Sequence, residues 1–397
     1  MNRKIAFFFL FSLLLALIPS AVYAEEEATI AESDVDLGAL IGSAADNLDL
    51  TEWQNTINSL AYFSELSGGS TTIRGFISGV ISGTVPLNTH TLLQIISDLL
   101  LKELRLHIKV AALLFSLAAL AALAERMSMD LFSGTTSKVT LTVIFCICSG
   151  LIVSSFSSII ADAQSCIAGM DGFVNTATPV LMILVTAIGG AASSQIIHPS
   201  VIIIADVMTK LISGIILPIL TASAVLSFAH RLCDRPQFGN MAASLKKLSQ
   251  WVVGIMFTLF TGFVSIQKLA TSGLDGASLR AFKYTISSFS LYGGSFLAKS
   301  VDVVSGCAAI LKNILGSAGM IILLCICLAP AIRILSVSLV WRGCSLLLSA
   351  LSNNKVAEIL NDIGSIYGTV FLCVSTTAVL FFILLSVVAG AGNAVFL

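Results

Sequence analysis

From residue 108 onward the chain alternates long apolar runs with short polar breaks: Ile108–Ala124, Val139–Ala161, Phe173–Ala192, Ile196–Ala229, Trp251–Ile266, Ile314–Val340 and Ile366–Ala391. Most are close to the ~20 residues that a helix needs to cross a hydrocarbon core of about 30 Å. The pattern predicts an all-α polytopic membrane protein with about six or seven transmembrane helices. Ahead of them, Arg3 and Lys4 precede the apolar stretch Ile5–Ile18, the break Pro19-Ser20 and the small-residue site Val22-Tyr23-Ala24. This is the layout of a cleavable signal peptide. An uncleaved first anchor is the alternative, which the shortness of the apolar stretch disfavours.

Three regions follow: a signal peptide at 1–24, an acidic extracytoplasmic helical region at 25–107, and a multi-span transmembrane domain at 108–397. Within the second, Leu48, Trp53, Ile57, Leu60 and Phe63 give Ser43–Leu66 a helical period. A Gly/Ser/Thr-rich linker at 67–72 leads to Ile73–Val85, which carries Gly75, Gly79 and Gly83 on one face and is too short to span comfortably. Leu92–His107 is amphipathic, with Leu92, Ile95, Ile96, Leu99, Leu100 and Leu104 opposite Gln94, Asp98, Lys102 and Arg105. It suits either a membrane surface or a neighbouring helix.

Orientation follows from the positive charges. An exported N-terminus makes Ile108–Ala124 run inward and Val139–Ala161 outward, leaving Asp162–Gly172, which has no Lys or Arg, outside. The loop His230–Gln250 holds Arg231, Arg235, Lys246 and Lys247 and belongs inside, which requires an odd number of crossings between Phe173 and Ala229. Two apolar runs occupy that stretch. Three compressed spans or a re-entrant hairpin would reconcile the count; the hairpin is preferred, and Gly189, Gly190, Pro199 and Pro218 are the candidates for its irregular backbone. Pro218 with His230-Arg231, and Pro330 with Trp341-Arg342, also outline a weak repeat of 210–266 with 322–391.

Composition agrees with the pattern: 56% of residues are hydrophobic and 11% charged, against about a quarter charged in ordinary globular domains. The net charge of −1 hides a segregation. Residues 25–107 carry 12 Asp/Glu and 3 Lys/Arg, and residues 108–397 carry 10 and 16. No basic cluster on a soluble surface stands ready to neutralise phosphates, so a nucleic-acid partner is not expected. Cys146/Cys148 and Cys325/Cys327 are spaced i and i+2 and point about 200° apart on a helix, so they read as packing residues rather than metal ligands.

Charges inside spans are the candidates for chemistry, because inserting one costs several kcal/mol. Asp206 and Lys210 stand at i and i+4, either as a polar site in a conduit or as a self-neutralised pair. Arg333 follows Pro330 and either snorkels to an interface or lines an interior path. No nucleotide-binding, metalloprotease or serine-hydrolase motif is present, and His90, His107, His198 and His230 lie in separate segments. The expectation is no enzyme, no cofactor and no metal. A stand-alone secondary transporter of a small solute is the competing function class.

Several motifs carry a family resemblance: Gly172-Phe173-Val174-Asn175-Thr176, Leu217-Pro218 with its basic loop, Val264-Ser265-Ile266-Gln267, Asp275-Gly276 ahead of Leu279–Tyr284, Leu311–Gly316 and Leu328–Leu335. Together they resemble the stage III sporulation protein AE family. The resemblance implies a component of a channel complex between mother cell and forespore, needed for late forespore gene expression. It also implies the outer forespore membrane as location, with the N-terminal region in the intermembrane space. The implied partners are the other stage III sporulation A proteins, including a secretion-type ATPase and ring-forming subunits, and a forespore membrane partner.

Overall fold

The structure is a computed structural model that describes residues 48–60, 62–67, 69–81, 89–131, 134–233, 235–288, 294–351 and 355–391. The expected signal peptide and the acidic stretch at 25–36 lie outside the described residues. Among those described, all regular structure is helical: α1 (Thr51–Asn58), α2 (Phe63–Leu66), α3 (Ile73–Ile81), α4 (Thr89–Leu131), α5 (Gly134–Ala187), α6 (Ala191–Leu211), a π-turn (Ile212–Ile216), α7 (Leu217–Cys233), α8 (Pro236–Ser288), α9 (Gly294–Leu351) and α10 (Lys355–Gly390). Among the described residues, five stretches are long and apolar enough to cross a membrane: Ser149–Ala187, Ile202–Cys233, Pro236–Gln267, Ser305–Ala350 and Val356–Gly390.

The largest departure from the sequence reading is α5. Val139–Ala161 and Phe173–Ala192 were expected as separate spans around a polar loop, but 162–172 is helical and a single rod of 54 residues runs through all of it. At 1.5 Å per residue that rod is about 81 Å long. The polar residues of 162–172 do not break it because they share one face, while Ala163, Cys166, Ile167 and Met170 bury the other. Pro179 is accommodated inside the same helix.

Gly189 and Gly190 end the rod. Gly189 takes φ +97°, its N–H bonds the Thr186 carbonyl at 3.0 Å, and the Gly190 N–H bonds the Val185 carbonyl at 2.9 Å. That pair of bonds is a Schellman cap, and only glycine holds the left-handed position without strain. The backbone irregularity expected around these glycines is therefore confined to a short turn between two long arms.

On the return arm, Pro199 sits exposed within α6, and Pro218 opens α7 directly after the π-turn. A proline ring clashes with the carbonyl four residues earlier, here Gly214, and cannot donate to it. Widening Ile212–Ile216 by one residue per turn moves that carbonyl aside. Pro330 in α9 meets the same difficulty without a π-turn: the freed carbonyl of Ile326 accepts the Cys166 thiol from α5 at 3.8 Å.

The core lies between α5, α9 and α10. Phe156, Trp341 and Tyr367 stack there, with ring centroids 5.6 Å (Phe156–Tyr367) and 6.0 Å (Trp341–Tyr367) apart. Helices α9 and α10 approach closely over glycine. A Cβ on Gly316 would stand 2.6 Å from the Ala389 Cβ, and one on Gly364 would stand 2.9 Å from Arg342 Cγ and 3.3 Å from the Arg342 backbone N. The expected amphipathic helix is the start of α4, with Ile95 and Leu99 buried. The short helices dock on the same bundle: Trp53 is fully buried, edge-on to Phe173 at 5.3 Å and against Gly319.

Candidate functional site

The polar side chains of the bundle gather at three levels. At the end formed by the α7–α8 connection, Arg231 reaches Glu358 and Asp362 of α10, the latter at 3.2 Å. One turn apart, Lys246 Nζ donates to Ser365 Oγ at 2.9 Å and Gln250 Nε2 donates to Thr369 Oγ1 at 2.9 Å. Both bonds join residues 119 positions apart, so α8 and α10 run parallel and in fixed register. An open cleft of about 230 Å³ sits here, lined by Ser223, His230, Arg231, Asn240, Lys246 and Asp362 among others. His230 Nδ1 lies 2.7 Å from the Arg235 carbonyl, and a Cβ on Gly239 would meet its ring at 2.7 Å.

At mid-bundle Arg333 finds an acidic partner. Its Nη1 lies 2.9 Å from Asp162 Oδ2 and its Nη2 donates to Ser158 at 3.4 Å, tying α9 to α5. His107 and Glu103 of α4 pair nearby at 3.5 Å. Nearer the hairpin turn, Lys210 Nζ and Asp206 Oδ2 are 2.7 Å apart. This pair does not face the core: its side chains are 74% and 49% exposed. Asp171 of α5 faces the same group across the α5–α6 contact.

The outward face of α5 joins these levels. From Ser154 to Thr176 the outward side carries Ser157, Ser158, Gln164, Ser165, Asn175 and small residues, and it has no Leu, Ile, Val or Phe. The buried side of the same segment is apolar, including Phe156, Ile159, Ile167, Met170 and Phe173. Below and above it the outward face turns apolar again, at Ile147 and Leu151 and at Ile183. Helix α8 presents the opposite character outward, with Trp251, Leu259 and Ile266 each about 70% exposed.

Of the residues singled out from sequence, the structure brings Asp206 and Lys210 together on a surface and places Arg333 in a different pair. Gly189 and Gly190 form one turn, and Pro199 and Pro218 lie along the return arm. Sequence reasoning missed Asp162, Arg231, Glu358 and Asp362 as pairing partners. Asp162 falls in a stretch whose hydropathy reads as a loop, and nothing in one chain's sequence reports which helices face each other. Among the described residues, no group of three His, Cys, Asp or Glu side chains could hold a metal ion. Cys325 and Cys327 are buried, in keeping with their reading as packing residues, and so are Cys166, Cys307 and Cys373, whereas Cys146 is exposed, against that reading.

The comparisons with known proteins agree with the motifs. The family described as stage III sporulation protein AE matches residues 71–392. The curated "Stage III sporulation protein AE" of Bacillus subtilis (strain 168) is 25% identical over 320 residues, covering 81% of this chain and 80% of the relative. No solved structure matches the chain. With 71–392 spanning the helical bundle and most of its described approach, the chain belongs to the stage III sporulation protein AE family, and with it to sporulation.

Proposed function

We propose that this chain is the membrane core of the complex linking mother cell and forespore. It works without catalysis, as conduit or as assembly platform, and supports late forespore gene expression. The observation that carries the reading is the family match across 71–392 on a bundle with five membrane-length helices. Its location in this reading is the outer forespore membrane. Its partners are the other stage III sporulation A proteins, the secretion-type ATPase and ring-forming subunits among them, and a forespore membrane protein.

The orientation has physical support. Because α5 is one rod, three crossings precede the basic connection at 230–250 when α4, which is not among the five membrane-length stretches, is counted with α5 and with α6–α7. An N-terminus in the intermembrane space then puts Arg231, Arg235, Lys246 and Lys247 on the mother-cell side, as the positive-inside rule prefers. The odd count needs no half-crossing segment.

The test is a clean deletion in the sporulating organism. Development should stop after engulfment, and loss of a partner subunit should mislocalise or inactivate this chain. Normal spores from the deletion would refute the reading. Purified chain that moves a solute in liposomes unaided, and loses that flux on neutralising Asp206 or Lys210, would favour a stand-alone transporter instead.

A further inference from the structure

We propose that Lys246 of α8 and Arg342 of α9 form a site for a phosphate group, supplied by an anionic lipid headgroup at the basic end of the bundle. The lipid source rests on the proposed orientation, whereas the two cations are a property of the bundle alone.

Helix α10 brings them to one level. Positions 364 and 368 are glycine, and the Arg342 side chain uses the space at both: a Cβ on Gly364 would stand 2.9 Å from Arg342 Cγ, and one on Gly368 would stand 2.9 Å from Arg342 Nη2. The next residues, Ser365 and Thr369, face α8 instead. Ser365 Oγ accepts Lys246 Nζ at 2.9 Å, and Thr369 Oγ1 accepts Gln250 Nε2. Successive residues of a helix point about 100° apart, so the guanidinium and the ammonium approach α10 from adjacent sides. Each lies in the field of the other.

Neither charge is matched. Arg231, at the same end, spends its guanidinium on Glu358 and Asp362. Lys246 and Arg342 are half-buried and have no carboxylate within ion-pair distance among the described residues. Asp362 acts on Lys246 only from beyond that distance and already serves Arg231. The Arg342 Nε is buried without a hydrogen-bond partner. Two like charges taken partly out of water repel each other and forfeit hydration, so such cations normally share an anion. A glycine notch that seats an unmatched arginine beside an unmatched lysine is an arrangement for holding one.

Phosphate is the anion that fits. Arginine offers a planar fork of donors and lysine a compact charge, and phosphate oxygens accept both. Lys246 and Asn240 line the cleft of about 230 Å³, which has room for a phosphate group but not for a helix about 10 Å across. An acidic helical segment of a protein is thereby disfavoured. Trp251, one turn beyond Lys247 on α8, is 68% exposed, as suits a tryptophan at headgroup depth. Basic pockets between helices on the cytoplasmic side are where anionic headgroups bind.

The experiment titrates the full chain, stripped of lipid in a neutral detergent, and follows its unfolding temperature. The probes are short-chain phosphatidylglycerol, short-chain phosphatidylcholine, inorganic phosphate and a glutamate-rich peptide. Phosphatidylglycerol should raise the unfolding temperature saturably and phosphatidylcholine should not, because a ligand that binds only the folded chain stabilises it. Arg342→Gln and Lys246→Gln should each weaken that binding at least ~10-fold. Arg235→Gln combined with Lys247→Gln, both exposed, should leave it nearly intact. A response to inorganic phosphate without one to phosphatidylglycerol, lost in the same two variants, supports the site with a soluble source. Equal responses to the two lipids, equal loss in the exposed pair, a response to the peptide alone, or no response at all would overturn the proposal. If Arg342→Gln does not fold, Lys246→Gln decides. A viable deletion strain removes the sporulation role and leaves this binding intact, so the two failures are distinguishable.

Discussion

Asp162 of α5 and Arg333 of α9 form an ion pair at 2.9 Å, partly open to the polar face of α5. The pair fixes the vertical register of the two helices at mid-bundle. One turn before Arg333, Pro330 frees the Ile326 carbonyl, which the Cys166 thiol of the same α5 takes up. The two contacts lie four residues apart on α5, so the charge tie and the proline repair form one seam.

Removing one member of the Asp162–Arg333 pair should therefore cost more than removing both. Arg333→Gln or Asp162→Asn alone leaves a charge without its partner, and about 1–3 kcal/mol of stability should be lost, less than for a fully buried pair. The double substitution should recover at least half of that loss. Thermal unfolding of the four proteins in one detergent gives the coupling by a double-mutant cycle. Strict additivity would show that the pair does not set the register.

Gly364 tests the α9–α10 contact where backbone stands close. A Cβ there meets Arg342 Cγ at 2.9 Å and its backbone N at 3.3 Å, and the Gly364 carbonyl accepts Ser338 Oγ at 2.8 Å. Backbone cannot move aside as a side-chain tip can. Gly364→Leu should destabilise by about 1–3 kcal/mol through overpacking. Gly254, which has open space where a Cβ would go, is the control: Gly254→Ala should be neutral or slightly stabilising. Proteolysis midpoints of the two variants in detergent separate these outcomes.

Helicity, the membrane class and the glycine turn were legible in the sequence, because each has a local signature: run length, hydropathy, and a Gly-Gly pair after an apolar run. The single rod was not. Averaged hydropathy treats Asp162–Gly172 as a dip, yet Ala161, Gln164, Ser165, Ala168 and Gly172 recur at the helical period and Ala163, Cys166, Ile167 and Met170 fill the opposite face. Reading the period inside the dip would have joined the two runs. The π-turn had a partial signature in Gly214 four residues before Pro218. The Arg231–Asp362 and Arg333–Asp162 pairs had none, since pairing across helices depends on which faces meet.

The π-turn predicts a local effect of Pro218. With Pro218→Ala, the backbone gains an N–H and loses the ring that displaces the Gly214 carbonyl, so Ile212–Ile216 should close into ordinary α-helix. Amide exchange across 212–218 should slow by several-fold, with little change near the hairpin turn at Gly189. Unchanged exchange in that window would assign the π-turn to packing against neighbouring helices instead.

Asp206 and Lys210 discriminate between fold and function most sharply. Their side chains are about half and three-quarters exposed, they pair within one helix, and none of the bundle's core contacts depends on them. An exposed i, i+4 pair contributes ~0–1 kcal/mol, so Asp206→Asn with Lys210→Gln should leave thermal unfolding in detergent nearly unchanged. The same substitution removes both charges from the flank of the α5 face. If that face meets water, spore formation should fall while the chain remains folded and inserted. If it meets lipid, removing two charges from a hydrocarbon environment should raise stability in bilayers and leave sporulation intact. Counting heat-resistant spores alongside unfolding in reconstituted bilayers tells the two apart, because water and lipid make opposite demands on the same pair.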